Sequence, residues 1–125
     1  TSIDLGTDLT ATVIDTGYDH TCALLDNASV KCWGRNVYGA LGKGNNDSLG
    51  DDANEMGDNL TSIDLGTGRT ATAIIAGQFH TCAILDNASV KCWGFNNYGQ
   101  LGQGNTTQLG AGVNEMGDNL PAIDL

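Results

Sequence analysis

Positively charged residues are scarce in this chain. Only 5 of its 125 residues are Lys or Arg, against 15 Asp and Glu, which gives a net charge of −10 and an isoelectric point near 4.1. Such a surface repels the phosphates of nucleic acids and of anionic membranes. We therefore expect neither a nucleic acid nor a charged lipid surface as a partner.

Long apolar runs are also missing, and proline is scarce. No stretch is long enough to cross a bilayer, no signal peptide is recognisable, and a single proline is present. Hydrophobic residues make up 40% of the chain, too many for a disordered protein, while 18 glycines and frequent asparagines interrupt any long helix. These features predict an ordered all-β protein of short strands and many turns, without a membrane span.

Catalytic patterns are absent as well. The sequence has no Ser/His/Asp arrangement in register, no dinucleotide-binding glycine pattern and no phosphate-binding loop, so we expect no enzyme activity. His20 and His80 each stand two residues before a cysteine, from which a Cys/His metal site could be drawn. A hydrogen-bonded core histidine is the favoured interpretation of both.

The chain is organised instead as a repeat. Residues 1–60 and 61–120 align without a gap and are identical at 42 positions, and residues 121–125 (PAIDL) resemble the opening TSIDL. We interpret these segments as repeat 1, repeat 2 and the start of a third repeat. Units of such arrays bury their apolar faces on one another and are normally stable as about three copies or more. We therefore expect part of a longer array, or assembly with other chains.

The clearest structural element is a hairpin in HTCALLDNASVKCWG, which occurs once in each repeat with one change. A three-residue loop at 26–28 places Cys22 opposite Cys32, a pair without mutual backbone hydrogen bonds whose Cα atoms lie about 4.5 Å apart. The third loop position favours a left-handed residue, usually glycine, so Ala28 and its counterpart Ala88 indicate either mild strain or a different type of loop.

The same cysteine spacing recurs in repeat 2. Because Cα atoms this close allow a disulfide, we predict the bonds Cys22–Cys32 and Cys82–Cys92, which use every cysteine of the chain. Paired cysteines indicate an oxidising compartment, outside the cell or at its surface. Buried reduced thiols are the alternative, and zinc is weaker because nine residues separate the two cysteines of each pair.

Potential N-glycosylation sites support the same compartment. The pattern N-x-S/T occurs at Asn27, Asn46, Asn59, Asn87 and Asn105. These asparagines stand at hairpin tips and in Gly/Asn-rich loops, where an oligosaccharide can be attached without unfolding the chain. The alternative is that asparagine serves these turns structurally.

An acidic loop in repeat 1 offers oxygen atoms to calcium. Its candidate ligands are Asp47, Asp51, Asp52 and Asp58, but their spacing does not follow the EF-hand pattern, and repeat 2 lacks three of the four. A solvated loop is therefore the favoured interpretation. Apart from N-linked glycans and this calcium candidate, we expect no cofactor.

These residues carry a family resemblance. GQFHTCAILDNASVKCWGFNNYGQLGQG, at 77–104, and GYDHTCALLDNASVKCWGRNVYGALGKG, at 17–44, resemble the repeat of the regulator of chromosome condensation family. The resemblance implies tandem blades of a β-propeller, each of four antiparallel strands. Trp33 and Trp93 stand on the face opposite the cysteines, where we expect them to pack between adjacent blades. The cysteines and the CWG sequence resemble the secreted or surface-exposed microbial members. The founding member acts on a small GTPase and docks on chromatin, and none of its functional residues can be matched here.

Two hypotheses on function follow. Near-identical consecutive units favour an extracellular structural glycoprotein that assembles with itself, blade to blade, into a fibre or surface layer. The alternative is a closed β-propeller scaffold that binds a protein partner, such as a small GTPase, on a variable rim. Differences between the repeats concentrate at Asp8, Leu9, Asp15, Tyr18, Asp19, Arg35, Val37 and residues 46–53.

Overall fold

The computed structural model describes all 125 residues and is all-β, as the sequence predicts. Repeat 1 forms one antiparallel sheet in the order β1-β2-β3 and repeat 2 forms a second in the order β4-β5-β6. The strands are β1 Ala11–Thr16, β2 His20–Leu25, β3 Val30–Gly34, β4 Ala71–Ala76, β5 His80–Leu85 and β6 Val90–Gly94.

The central hairpin has the predicted register. Cys22 lies opposite Cys32, and a disulfide joins them across Cα atoms 4.1 Å apart. The Leu25 N–H donates to the Ser29 carbonyl at 2.9 Å and closes the loop. Ala28 has a φ of 63°, the left-handed conformation that the loop requires and that a side chain disfavours. The predicted pairing and strain are therefore confirmed.

The fourth strand expected for each blade is reduced to one antiparallel bridge, Gly34 with Leu49, and its counterpart in repeat 2. The reason is the fully buried Asn36, whose side chain takes the place of a strand partner. Its Nδ2 donates to the Asn45 carbonyl at 2.9 Å, and its Oδ1 accepts from the Leu41 N–H at 2.9 Å. The Gly/Asn-rich segment therefore folds around an amide instead of pairing as a ladder.

Each repeat closes on itself by joining its first residues to its last. The buried Lys31 Nζ donates to the Leu5 carbonyl at 2.8 Å and to the Gly57 carbonyl at 2.9 Å. The Asp58 carboxylate accepts from the Thr7 hydroxyl at 2.6 Å and from its N–H at 2.8 Å. These hydrogen bonds lower the pKa of Asp58 because they favour its charged form. Equivalent bonds close repeat 2, and in each repeat the junction includes a short 3-10 helix, Gly57–Asn59 or Gly117–Asn119.

The hydrophobic core lies between the two sheets. Both repeats contribute to one cluster of 13 buried residues. Its members are Cys22, Leu24, Val30, Cys32, Leu41, Ile63, Leu65, Ala71, Ile74, Ala83, Leu85, Trp93 and Leu120. Some apolar side chains, such as Ala23 and Leu25, are buried outside this cluster, but most of the buried apolar side chains belong to the contact between the repeats.

Candidate functional site

The contact between the repeats uses two different faces of the sheet. We call the face that carries Cys22 or Cys82 the cysteine face, and the opposite one, which carries Trp33 or Trp93, the tryptophan face. The cysteine face of repeat 1 packs on the tryptophan face of repeat 2, and Trp93 is completely buried there. The interface is thus heterologous, because the two surfaces in contact are not the same.

A short chain of polar groups crosses this apolar interface. The Trp93 Nε1 and the Thr81 hydroxyl both donate to the Ala40 carbonyl, at 2.9 and 2.8 Å. Since the Thr81 hydroxyl directs its proton to Ala40, it accepts from the His20 Nε2–H at 2.9 Å, which sets the tautomer of the imidazole. These buried groups are all satisfied, so they fix the register of one repeat on the other.

Further hydrogen bonds join the repeats through the backbone. They run from the Ile63 N–H to Val30, from the Ala71 N–H to Ala28, from the Tyr18 N–H to Gln78 and from the Gly44 N–H to Gly110. In addition, the Asp15 carboxylate accepts from the Ala76 N–H at 2.9 Å. The interface therefore specifies orientation as well as hydrophobic burial.

The tryptophan face of repeat 1 is open. Ile14 is 56% exposed, whereas the equivalent Ile74 of repeat 2 is 4% exposed because repeat 1 covers it. Ile3 and Ile63 differ in the same way, and Trp33 is only half-buried. The same residue types thus face solvent on one repeat and form the core on the other.

The cysteine face of repeat 2 is open on the opposite side of the molecule. Ile84 is 40% exposed, whereas its counterpart Leu24 in repeat 1 is 6% exposed. A cavity of about 160 Å³ lies on this face, lined only by Ala73, Ile75, Cys82, Ala83, Ile84 and Val90. The two open faces are therefore the two halves of the contact that is buried between the repeats.

The histidines lie within or beside the interface, not in a metal site. No group of three or more His, Cys, Asp or Glu side chains gathers where a cation could be held. Burial lowers the pKa of His20 because the imidazolium loses hydration, and the charge of His80 acts in the same direction, while Asp19 and Asp15 oppose it. The neutral imidazole is the form that donates to Thr81 here.

This environment predicts a pH dependence. Below about pH 6.5 the unfolded His20 takes up a proton that the folded one resists, so folding stability falls with decreasing pH. We expect His20→Gln, whose amide can still donate to Thr81, to reduce the loss of unfolding free energy between about pH 7 and 5. Urea unfolding at the two pH values measures this loss of unfolding free energy. An unchanged pH dependence in this variant contradicts the role of His20.

The predicted disulfides are both present, and no cysteine is free. The five asparagines of the N-x-S/T pattern, Asn27, Asn46, Asn59, Asn87 and Asn105, are all exposed. Whether they carry glycans stays a prediction. No helix of the chain is long and apolar enough to cross a membrane.

Hydrogen bonds within the protein hold the acidic loop. The calcium candidates Asp47, Asp51, Asp52 and Asp58 form no ligand cluster. A different residue holds the loop: the Glu55 carboxylate accepts from the N–H groups of Asp52 and Gly50, at 3.0 and 2.7 Å. These hydrogen bonds lower the pKa of Glu55. The geometry therefore gives no support to the calcium prediction, because protein donors already order the loop.

Comparison with known proteins agrees with this architecture. The regulator of chromosome condensation (RCC1) repeat matches residues 12–40 and 72–100. The ultraviolet-B receptor UVR8 of Arabidopsis thaliana is 32% identical over 98 residues, covering 78% of this chain and 20% of that protein. The RCC2 homolog of Danio rerio is 33% identical over 88 residues, covering 70% and 16%. The two repeats therefore belong to the regulator of chromosome condensation repeat family.

Solved structures support the propeller-blade fold. Human WBSCR16 superposes with a TM-score of 0.62 at 21% identity, over 80% of this chain and 24% of that one. Yeast RCC1 (Prp20), in its complex with Kap60, superposes with a TM-score of 0.52 at 25% identity, over 76% and 23%. The chain thus spans about a sixth to a quarter of the length of these relatives.

Proposed function

We propose that this chain is an assembly unit that joins further blades of its own type through its two open faces, as a non-enzymatic structural protein. The observation that supports this most strongly is the exposure of Ile14. The equivalent Ile74 of repeat 2 is buried, because the preceding repeat covers it. Apolar surface of this kind gains free energy when it leaves water.

A second copy of the chain meets the requirements of the contact. The contact inside the molecule is made by Ile74, Thr81 and Trp93 of repeat 2. Repeat 1 of a second copy offers the same residue types at the equivalent positions, Ile14, Thr21 and Trp33. His80 is available to donate to Thr21 of the next copy, as His20 donates to Thr81. The acceptor for the next copy's tryptophan is a backbone carbonyl, so the change from Ala40 to Gln100 does not remove it.

A heterologous contact repeated between copies builds a filament if it does not close and a ring if it does. We favour a fibre or surface layer because successive units are identical at 42 of 60 positions, whereas the blades of a partner-binding ring are expected to diversify at the contact face. A closed propeller that binds a protein partner is the second candidate, and the solved complex of yeast RCC1 with Kap60 supports it.

We further propose an extracellular location with N-linked glycans. Two disulfides in a chain without a free cysteine favour an oxidising compartment, and the five exposed asparagines are accessible to glycosylation. A reduction of intact mass on treatment with a glycan-releasing enzyme is the expected result for native material.

The assembly is tested with two variants, each of which blocks one open face. Ile14→Asp places a charge on the tryptophan face of repeat 1, and Ile84→Asp does so on the cysteine face of repeat 2. We expect each variant alone to be monomeric and an equimolar mixture to form dimers but nothing larger, because each variant keeps one competent face. Light scattering after size-exclusion chromatography measures these masses.

The matched control is Val113→Asp, which adds the same charge at a side chain that is 82% exposed even with repeat 1 in place. This variant should assemble like the unmodified chain. Monomeric unmodified protein at all accessible concentrations, or a mixture of the two blocked variants that stays monomeric, contradicts the proposed contact.

A further inference from the structure

The Phe and Tyr residues of this chain form one continuous group. We call Tyr18, Tyr38, Phe79, Phe95 and Tyr98 the aromatic row; the chain has no other Phe or Tyr. Ring centroids of neighbours lie 4.9 to 6.0 Å apart, from Tyr98 through Phe95, Tyr38 and Phe79 to Tyr18. Exposed aromatic residues are normally scattered singly over a protein surface, so a surface on which all five Phe and Tyr rings meet is unusual.

The row lies at one end of the two sheets. Its residues belong to the turns before β2 and β5 and to the segments after β3 and β6. Here the repeats diverge: Tyr18 is replaced by Gln78, and Phe79 and Phe95 stand where repeat 1 has Asp19 and Arg35. The core positions between the sheets, in contrast, are nearly the same in both repeats. The row therefore coincides with part of the variable rim predicted from the sequence.

The row stays accessible when blades pack together. Tyr18 is 70% exposed although repeat 2 already covers the cysteine face beside it, and Tyr98 is 88% exposed. The contact between the blades includes part of the row, since Tyr38 of repeat 1 packs on Phe79 and Phe95 of repeat 2 and is half-buried there. A blade that follows repeat 2 would cover Tyr98 to the same extent, whereas Tyr18 stays exposed beside its following blade. The row therefore keeps accessible rings whether or not the chain assembles, so a binding role for it does not depend on the proposed function.

The geometry of the rings favours an occupant with bulky, compact side chains. Neighbouring rings are tilted by 57 to 70° to one another and meet edge to face, so together they form a stepped surface instead of a flat platform. Beside these rings lies a cavity of about 370 Å³ lined by Gln78, Phe79, His80, Phe95, Tyr98 and Gln100. Its polar lining thus consists of two amides, an imidazole and a phenol, without a carboxylate or a Lys or Arg side chain.

We propose that the aromatic row binds a proline-rich, basic segment of a partner protein. Pyrrolidine rings pack well on the aromatic rings that line this cavity, and a polyproline helix has no internal hydrogen bonds, so its carbonyls can accept from Gln78 and Gln100. The net charge of −10 attracts a basic chain and repels an acidic one. Beside the row, Asp19 and Arg35 pair at 3.1 Å, so the preference for a basic segment comes from the charge of the molecule as a whole.

A peptide series tests this proposal. A synthetic peptide of repeated Pro-Pro-Arg is titrated into the unmodified chain by isothermal calorimetry, beside peptides of repeated Ala-Ala-Arg and Pro-Pro-Glu. We expect binding of the first and at least about tenfold weaker binding of the other two, because each lacks one recognised feature. The same titration of Ile14→Asp removes any contribution from blade assembly.

Variants of the chain locate the binding. Tyr98→Ala and Tyr18→Ala remove rings that are mostly exposed, so the fold is retained, and each should weaken the Pro-Pro-Arg peptide about tenfold. Val113→Ala, an exposed apolar residue outside the row, should have no effect.

Three results of the peptide titrations overturn the proposal. They are equal binding of the proline and alanine peptides, which indicates charge alone, undiminished binding in both tyrosine variants, and absence of any binding. Binding of a neutral oligosaccharide such as chitohexaose in place of the peptide, abolished by Tyr98→Ala, assigns the row to sugars and also overturns it.

Discussion

Trp93→Ala is expected to lower the free energy of unfolding by about 3–5 kcal/mol, because it leaves a cavity in the centre of the shared core. Trp93 is completely buried between the repeats, and its Nε1 is one of two donors to the Ala40 carbonyl. Truncation therefore removes packing from both sheets at once. Urea unfolding followed by circular dichroism measures the loss.

Trp33→Ala is the matched control, since the same residue in the same sequence context is only half-buried on the open tryptophan face. We expect a clearly smaller loss in a monomeric background such as Ile84→Asp, which leaves the surroundings of Trp33 unchanged. Equal losses for the two variants contradict the view that the contact between repeats supplies the core.

Removal of the first disulfide by Cys22→Ala with Cys32→Ala is expected to cost about 2–3 kcal/mol, because the unfolded chain regains the freedom of a short loop. The two cysteines are 10 residues apart and lie at the centre of the buried interface. The double substitution avoids leaving an unpaired thiol. Unfolding of the variant is compared with that of the unmodified chain in the presence and absence of a reductant.

The second disulfide provides the comparison for this experiment. Cys82 is only half-buried on the open cysteine face, so Cys82→Ala with Cys92→Ala should lose the loop contribution with less loss of packing. Full reduction should destabilise the unmodified chain by more than either double variant. A chain whose stability does not respond to reduction contradicts the role assigned to both bonds.

The hairpin could be predicted from the sequence because its information is local. Alternation along two strands and a loop of three residues determine which side chains are opposite, so the pairing of Cys22 with Cys32 and the left-handed Ala28 followed directly. The repeat itself indicated that one blade must cover the next. Burial of Trp93 between the sheets confirms that expectation.

The contacts between the repeats could not be predicted from the sequence, because they join residues far apart in the chain. The hydrogen bond from His20 to Thr81 spans 61 positions, and nothing at either residue alone indicates its partner. The missing fourth strand had a local signal in hindsight: Asn36, identical in both repeats, precedes a Gly/Asn-rich segment. The sequence does not show that the amide of this asparagine orders the loop, because its hydrogen-bond partners are known only from the folded structure.

The aromatic row shows the same limit. Its five rings are spread over residues 18–98, and single aromatic residues in loops give no sign that they meet. Alignment of the two repeats did mark three of the row's five positions as variable. Physical proximity joins those positions into one surface, since the turn before β5 packs against the turn before β2.

Negative-stain electron microscopy of the native material tests the central claim, which is that the two open faces join blade to blade. We predict particles larger than two blades, either fibres with a regular axial repeat or closed rings, that dissociate when Ile14→Asp is introduced. Uniform particles of two blades, unchanged by concentration and by this substitution, contradict it.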